Sequence, residues 1–298
     1  MTGTTGFLMG WLVRKAIYWK EEYQFASLDR VSDNGIGPIY WNKNHSFHIA
    51  DIRDKHIMDV IFQVEQPEIV IHGAAEISDP DAYHSSNVLG TRIIIDACLK
   101  HKVSKLIYIS DGKVYGQNNL PTEEAPINPI TPYSVSKVAG EDLVKDAQRA
   151  SGLIYNIIRL SNSYGPRQNV LGVIPRVVRG ILQEKKIVLS NDGSTIRDWT
   201  HVFDHCSGIL TVLNNGQPNE TYNISANQEL TDIEIAWKIC NIMNKGHNLI
   251  TYDKMPDFGD PLLNNEKIKK IGWMPKYKLK DGLLDTINWF NINQWSIR

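Results

Sequence analysis

Cysteine is scarce in this chain: Cys98, Cys206 and Cys240 are its only three among 298 residues. An odd, thinly spread set does not make a disulfide framework and predicts reduced, buried thiols in a cytoplasmic protein. Charge of one sign is equally lacking. Lys and Arg number 32 against 33 Asp and Glu, a formal net charge of −1, so there is no electrostatic footprint for nucleic acid or an anionic membrane. Lys185-Lys186 and Lys269-Lys270 read as solvated helix ends. No run approaches the roughly 18 apolar residues of a membrane span, and no basic segment followed by an apolar core marks a signal peptide. The Gly-x-Ser-x-Gly elbow of serine hydrolases is absent. His201 and His205 lie four apart, but His-Val-Phe-Asp-His lacks the glutamate of a zinc protease and no cysteine or carboxylate cluster completes a site, so no metal is expected.

What the chain does have is alternation. Gln24–Leu28, Glu68–His72, Lys105–Ile109 and Ile154–Arg159 are short β-branched runs that predict buried strands, separated by helical stretches near 55–65, 86–101 and 131–150. Strand and helix in turn imply parallel strands with right-handed crossovers, hence an α/β, doubly wound sheet with its ligands at the carboxyl ends of the strands. Past about residue 170 the pattern loosens into short strands, Lys186–Ser190 and Glu220–Ile224, and helices near 231–244 and 279–292. The expected division is a dinucleotide-binding domain over 1–170 and a smaller α/β cap over 171–298, with some segments returning to the core. With 42% hydrophobic residues the chain can bury a core of that size. Asn214-Asn215 and Asn264-Asn265 read as turns, and Trp199, Trp273 and Trp289 as packing residues.

Gly3-Thr-Thr-Gly6-Phe7-Leu8-Met9-Gly10 precedes a helical run from about Phe7 to Glu22, the arrangement of a turn that cradles a pyrophosphate. Met9 stands where a third glycine is usual, which predicts looser packing of helix on strand. Asp29, at the end of the second strand, suits a carboxylate accepting hydrogen bonds from a ribose diol and repelling a 2′-phosphate. NAD is therefore expected over NADP, although Arg30 beside it could pair with that phosphate. An apolar strand should lead into such a glycine turn, yet only Met1 and Thr2 precede Gly3. The expectation is a truncated or downstream start that leaves neighbouring strands with unpaired backbone groups, at about 1–3 kcal/mol for each one buried.

Tyr133 and Lys137 stand four residues apart in Pro132-Tyr-Ser-Val-Ser-Lys137, which places them on one face of a helix. A nearby ammonium stabilises phenolate and is expected to pull the tyrosine pKa down from about 10, making it a base for a sugar hydroxyl. The plain alternative is a surface Tyr and Lys on a helix.

Together with Ala50-Asp51-Ile52-Arg53, His72-Gly-Ala-Ala-Glu76 and Asn87-Val-Leu-Gly-Thr91, these motifs resemble the extended short-chain dehydrogenase/reductases with a Rossmann-like sheet. Arg159-Leu-Ser-Asn-Ser-Tyr-Gly-Pro166, Ile174-Pro175, Arg197-Asp-Trp199, Asp204-His205 and Thr221-Tyr-Asn-Ile224 are similar to the nucleotide-sugar epimerase and dehydratase branch. The resemblance implies that Gly3, Gly6, Phe7, Leu8, Asp29, Asp51, Ile52, Tyr133 and Lys137 hold NAD, with Ala74 and Ala75 lining its nicotinamide and pyrophosphate side. It implies Tyr133 and Lys137 as the catalytic pair, Glu76 on sugar hydroxyls, and Asn162 and Arg197 on the diphosphate of a UDP- or dTDP-hexose. An ion pair is the other reading of Arg197. A homodimer through the helices near 86–101 and 131–150 follows from the resemblance alone.

The sequence departs from the family after the third of its strand runs, at Lys105–Ile109. Where the dehydratases have Thr-Asp-Glu, this chain has Asp111-Gly112-Lys113, so the acid and the base of elimination are both replaced. Each missing group typically costs a factor of about 10²–10⁴. Asp111, if ionised, opposes Lys137 and raises the pKa of Tyr133; Lys113 is a desolvated base or a cation paired with Asp111 or Glu123. The segment Pro256-Asp-Phe-Gly-Asp-Pro261 is more like the corresponding loop of 4-epimerases. An NAD-dependent epimerase acting through transient oxidation at C4 is therefore expected. A 4,6-dehydratase with atypical acid and base groups, or a catalytically silent binding homologue, is the alternative.

Overall fold

The computed structural model describes residues 1–19, 23–31 and 44–293. The elements run α1 (Phe7–Trp19), β1 (Phe25–Asp29), β2 (His45–Ile49), α2 (Lys55–Glu65), β3 (Ile69–His72), α3 (Gly90–Lys100), β4 (Lys105–Asp111), α4 (Pro132–Ser151) and β5 (Ile154–Leu160). Then follow β6 (Ser163–Tyr164), α5 (Val173–Leu182), β7 (Ile187–Leu189), β8 (Ile196–Asp198), β9 (Thr200–His201), α6 (Val202–Asn215) and β10 (Glu220–Ile224). The chain closes with β11 (Glu229–Thr231), α7 (Asp232–Ile242), β12 (Ile250–Tyr252), α8 (Glu266–Lys270) and α9 (Leu279–Ile292). The end of the helix predicted to run to Glu22 lies outside the described residues.

Strands β10, β5, β4 and β3 form a parallel sheet in that order, and β1 and β2 pair in parallel beside it. Period-two alternation puts the sheet between two cores. On β4, Leu106 and Tyr108 pack with Ile94, Cys98 and Val144 of α3 and α4, whereas Ile107 and Ile109 pack with Met9, Leu12, Cys206 and Ile209 of α1 and α6. This is the doubly wound arrangement that the alternation of runs predicts. A third core joins α5, α7 and α9 around Ile174, Trp199, Ile235 and Phe290. The chain does not stay there after residue 170: α6, β10 and Trp273 return to the sheet.

Thr2 is bridged to both Leu28 of β1 and His72 of β3, in the place of a central strand. The Leu28 N–H donates to the Met1 carbonyl at 3.0 Å and the Thr2 N–H to the Ile71 carbonyl at 3.0 Å. The Met1 ammonium donates to the Ala26 carbonyl at 2.7 Å, and burial lowers its pKa to about 6. Before this point β1 and β3 flank a cleft of about 370 Å³ lined by Phe25, Ala26, Ile69, Ile71 and Leu210. Met1 and Thr2 thus lie in the expected strand position between β1 and β3, directly ahead of the glycine turn.

Packing at Met9 differs from the sequence expectation. Its side chain is buried, and a Cβ on Gly73 would meet its sulphur at 2.5 Å. The absent side chain of Gly73 makes room for the one that Met9 adds, so helix and sheet close without loss of contact.

Candidate functional site

A cleft of about 410 Å³ runs along the carboxyl ends of the strands. Gly3, Gly6, Phe7, Leu8, Asp29, Asp51, Ile52, Ala74 and Ala75 line one end; Asp111, Lys113, Tyr133, Lys137, Asn162 and Asp260 line the other. The candidate residues converge there from seven segments of the chain, Arg197 excepted.

At the glycine turn, Gly3 has φ +76°, and a Cβ there would lie 2.8 Å from the Ala74 backbone. Only glycine allows that approach without strain. Asp29 Oδ2 accepts from the Thr5 N–H at 2.9 Å and Oδ1 from the Arg30 N–H at 2.7 Å, so the carboxylate is fixed beside the turn with lone pairs still free. Arg30 leans to Glu76 at 3.5 Å. Asp51 presents its carboxylate to Arg53, at 2.6 Å, and this hydrogen bond is the main force holding its pKa low. A dinucleotide fits this end on two observations: a backbone cradle that side chains would fill, and an anchored carboxylate one strand away.

Glu76, expected on sugar hydroxyls, lines the cleft with its carboxylate engaged locally. Its Oε1 accepts from the N–H groups of Ile77 and Ser78 and from the Ser78 hydroxyl, and its Oε2 faces Arg30. The carboxylate therefore caps a local turn at the Asp29 end of the cleft.

At the other end the Thr131 side chain caps α4 and Pro132 sits in its first turn, which starts the helix just before Tyr133. The Tyr133 hydroxyl donates to Asp111 Oδ2 at 3.3 Å, while Asp111 Oδ1 accepts from the Lys113 N–H at 2.8 Å. Lys137 donates from Nζ to the Ile109 carbonyl at 2.7 Å and lies over the Tyr108 ring. Burial lowers the Lys137 pKa to about 8. The expectation for Tyr133 is corrected here: burial first, then the Asp111 charge, raise its pKa well above the usual value. Desolvation penalises phenolate, and a carboxylate stands closer to the hydroxyl than the sequence pairing with Lys137 suggested.

Burial also raises the Asp111 pKa, and the Lys113 charge works against that rise. Lys113 pairs with neither Asp111 nor Glu123 through its ammonium. It meets Asp260 Oδ1 at 3.1 Å, and Asp260 is the main cause that pushes its pKa up. A Cβ on Gly112 would meet Leu263 side-chain carbons at 3.1 Å, so apolar bulk fills the space beside that residue. The Ser110 hydroxyl turns the other way, donating to buried Glu141 at 2.7 Å, as strand alternation requires.

Asn162 lines the cleft with a buried Nδ2 that has no hydrogen-bond partner. A donor so placed is costly unless a ligand accepts from it. Arg197 departs from its expected freedom to bind phosphate. Its Nε and Nη2 hold Asp232, its Nη1 holds Asp260 at 2.6 Å, and its Nη2 also holds Asp257. Asp232 had no signal in the sequence, and Asp257 and Asp260 had only that of the segment Pro256–Pro261 in which they lie. His201 and His205 are buried, and burial lowers their pKa values to about 4 and about 3. No cluster able to hold a metal exists among the described residues.

Residues 1–225 match the model of the NAD dependent epimerase/dehydratase family. The chain belongs to that family. It is an NAD-dependent enzyme of the extended short-chain dehydrogenase/reductase type, and its sheet is a Rossmann fold. Among its relatives, the dTDP-glucose 4,6-dehydratase of Streptomyces niveus is 29% identical over 99% of this chain and 93% of its own length. That of Streptomyces antibioticus is 30% identical over 90% of this chain and 83% of its own. Among solved structures, dTDP-glucose 4,6-dehydratase from Bacillus anthracis in complex with NAD has a TM-score of 0.92 at 31% identity, covering 99% of this chain and 96% of the other. UDP-glucose 4-epimerase with UDP-glucose from Thermotoga maritima has a TM-score of 0.89 at 27% identity, covering 98% of each. A dehydratase and an epimerase thus both stand among its neighbours.

Proposed function

We propose that this enzyme is a nucleoside-diphosphate-hexose epimerase that oxidises the sugar transiently at C4 and restores the hydroxyl with the opposite configuration. The supporting observation is the state of residues 112 and 113. Gly112 has no group to protonate a leaving hydroxyl, and Leu263 occupies the space beside it. Lys113 is held in its charged form by Asp260 and so has no lone pair for taking a proton from C5. Epimerisation needs neither step. The relatives named dTDP-glucose 4,6-dehydratase favour the second reading, elimination with atypical groups.

NAD, when bound, supplies the acceptor and donor of hydride. The glycine turn would hold its pyrophosphate, Asp29 its ribose, Asp51 and Ile52 its adenine, and Ala74 and Ala75 its nicotinamide side. Tyr133 takes the C4 hydroxyl proton. A sugar hydroxyl entering beside Asp111 displaces the carboxylate from the phenol, leaving the Lys137 charge as the nearer influence on it. Asn162 donates to the ligand's diphosphate through its unpartnered amide. Residues 171–298 serve mainly as the sugar-nucleotide cap. The enzyme works in the cytoplasm as a homodimer, for which exposed Leu89 and Val135 at the starts of α3 and α4 offer apolar surface.

Incubation of the protein with NAD and UDP- or dTDP-hexoses tests the reading. A mixture of C4 epimers is the expected result; a 4-keto-6-deoxy sugar overturns it in favour of elimination.

A further inference from the structure

Arg197 has an inner and an outer edge. On the inner edge, Nε and Nη2 hold Asp232 at 2.9 and 3.2 Å, and Asp232 is fixed as the first residue of α7 with its N–H bonded to the Thr195 carbonyl at 3.0 Å. On the outer edge, Nη1 and Nη2 hold Asp260 and Asp257, both from the segment Pro256–Pro261. Asp260 lines the cleft and Arg197 does not, so the carboxylate stands between the guanidinium and any ligand. Asp260 also bridges to Lys113.

The backbone of the segment is firmly anchored at its ends; in its middle the Gly259 N–H bonds Asp257 Oδ1 at 3.0 Å within the segment itself, and the backbone there reaches the rest of the chain through long bonds. Before it, the Asn191 N–H bonds the Met255 carbonyl at 3.0 Å and the Asp192 N–H the Asp253 carbonyl at 2.9 Å; beyond it, the Asn264 N–H bonds the Pro121 carbonyl at 3.0 Å. Between these anchors, the Asp260 N–H reaches the Ile196 carbonyl only at 3.5 Å and the Asp257 carbonyl accepts from the Thr195 hydroxyl only at 3.5 Å. Bonds of that length are weak. Gly259 turns the segment at φ +68°, and a Cβ there would meet the Ile196 carbonyl at 2.4 Å. Phe258 is 57% exposed, so no apolar anchor pins the tip.

We propose that Pro256–Pro261 is a carboxylate latch: Asp257 and Asp260 occupy on Arg197 the place of a diphosphate, and a nucleoside diphosphate opens the latch by exchanging with them. The proposal rests on the nucleotide-sugar reading above. Asp232 stays behind as the permanent counter-charge, so the guanidinium is never left unpaired and buried. The exchange is anion for anion on one fork, which suits the planar geometry of Arg with phosphate as well as with carboxylate. Binding then carries the cost of parting Arg197 from two carboxylates, and that cost selects against ligands with a single negative charge.

The test is titration of the NAD-loaded protein with UDP and dTDP, with amide exchange followed over 255–264. In the wild type, saturating nucleotide is expected to speed exchange at 257–260; unchanged exchange overturns the latch, and needs no variant. Asp257→Asn is expected to tighten UDP or dTDP about tenfold, because a neutral amide is displaced more easily than a carboxylate. A dissociation constant within twofold of the wild type, or a weaker one, overturns the latch while leaving the nucleotide-sugar reading intact. Failure of both nucleotides to bind wild type and variant alike overturns that reading and the latch with it.

Discussion

The two ends of the cleft are built by different physics. The dinucleotide end is made of backbone: the Gly3 approach to Ala74, the N–H groups of Thr5 and Arg30 on Asp29, and the Thr2 bridges to Leu28 and His72. Its charged side chains are Asp29, held by backbone N–H groups, and pairs at the cleft edge such as Asp51 with Arg53 and Arg30 with Glu76. The sugar end is made of ionisable side chains from distant segments. Asp111, Lys113, Tyr133, Arg197, Asp232, Asp257 and Asp260 stand within one chain of contacts, Lys137 feels the Asp111 charge beside it, and the pKa of Lys113 and of Tyr133 is moved in part by another member. A backbone cradle tolerates side-chain exchange around it but not a change in chain path. A charge network behaves the other way, and each substitution in it is expected to move the properties of its partners.

Tyr133→Phe gives the largest break between the two ends. Turnover is expected to fall by about 10²–10⁴, while NAD affinity measured by fluorescence titration stays within a few-fold. Turnover that survives the substitution would move the base elsewhere in the network. Gly3→Val attacks the other end: a side chain at φ +76°, against the Ala74 backbone at 2.8 Å, is expected to cost about 1–3 kcal/mol. Retained NAD in the purified variant and an unchanged melting temperature would show that the turn is not what holds the cofactor.

Asp111→Asn sharpens the comparison through pH. The phenolate is the active form of Tyr133, so activity rises as pH climbs through the Tyr133 pKa, which burial and then the Asp111 charge raise. Neutralising residue 111 lowers that pKa, and the rising limb of kcat/KM is expected to move to lower pH by about one unit, equivalent to about 1.4 kcal/mol. A limb that stays in place or moves upward would remove Asp111 from control of the phenol. The smallest change expected is at Asp29→Ala. It leaves the Thr5 N–H without its acceptor and removes one ribose contact, for an NAD dissociation constant about tenfold higher, or about 1.4 kcal/mol. Isothermal titration decides it, and an unchanged constant would take the ribose role from Asp29.

Legibility in the sequence follows the same divide. The glycine turn, Asp29, β10 at Glu220–Ile224 and α9 at Leu279–Ile292 could be placed from the sequence because their signals are local: a pattern of period two or four, a cap, or a turn residue. β2, His45–Ile49, was hidden because His45, Ser46 and His48 leave it only two large apolar side chains, Phe47 and Ile49. β8 and β11, three residues each, are too short to show a period. At the sugar end Tyr133 and Lys137 were visible by spacing, whereas Lys113 met Asp260 from nearly 150 positions away and Arg197 met three aspartates 35 to 63 positions away. With 33 acidic residues to choose from, nothing in the linear order marks those partners. The Tyr133 shift divides the same way: spacing on a helix names Lys137 as a neighbour and the family resemblance names Asp111, while the burial that comes first in raising the pKa has no mark in the linear order.

The fit of Met9 against Gly73 ties together two positions that can only vary in concert. The thioether fills the volume that a side chain at 73 would need, so each site admits only what the other leaves room for, and a glycine at 9 alone would open a void beneath the coenzyme turn. Met9→Gly combined with Gly73→Ala is therefore expected to melt at a higher temperature than the two single exchanges sum to, which a thermal double-mutant cycle reads directly.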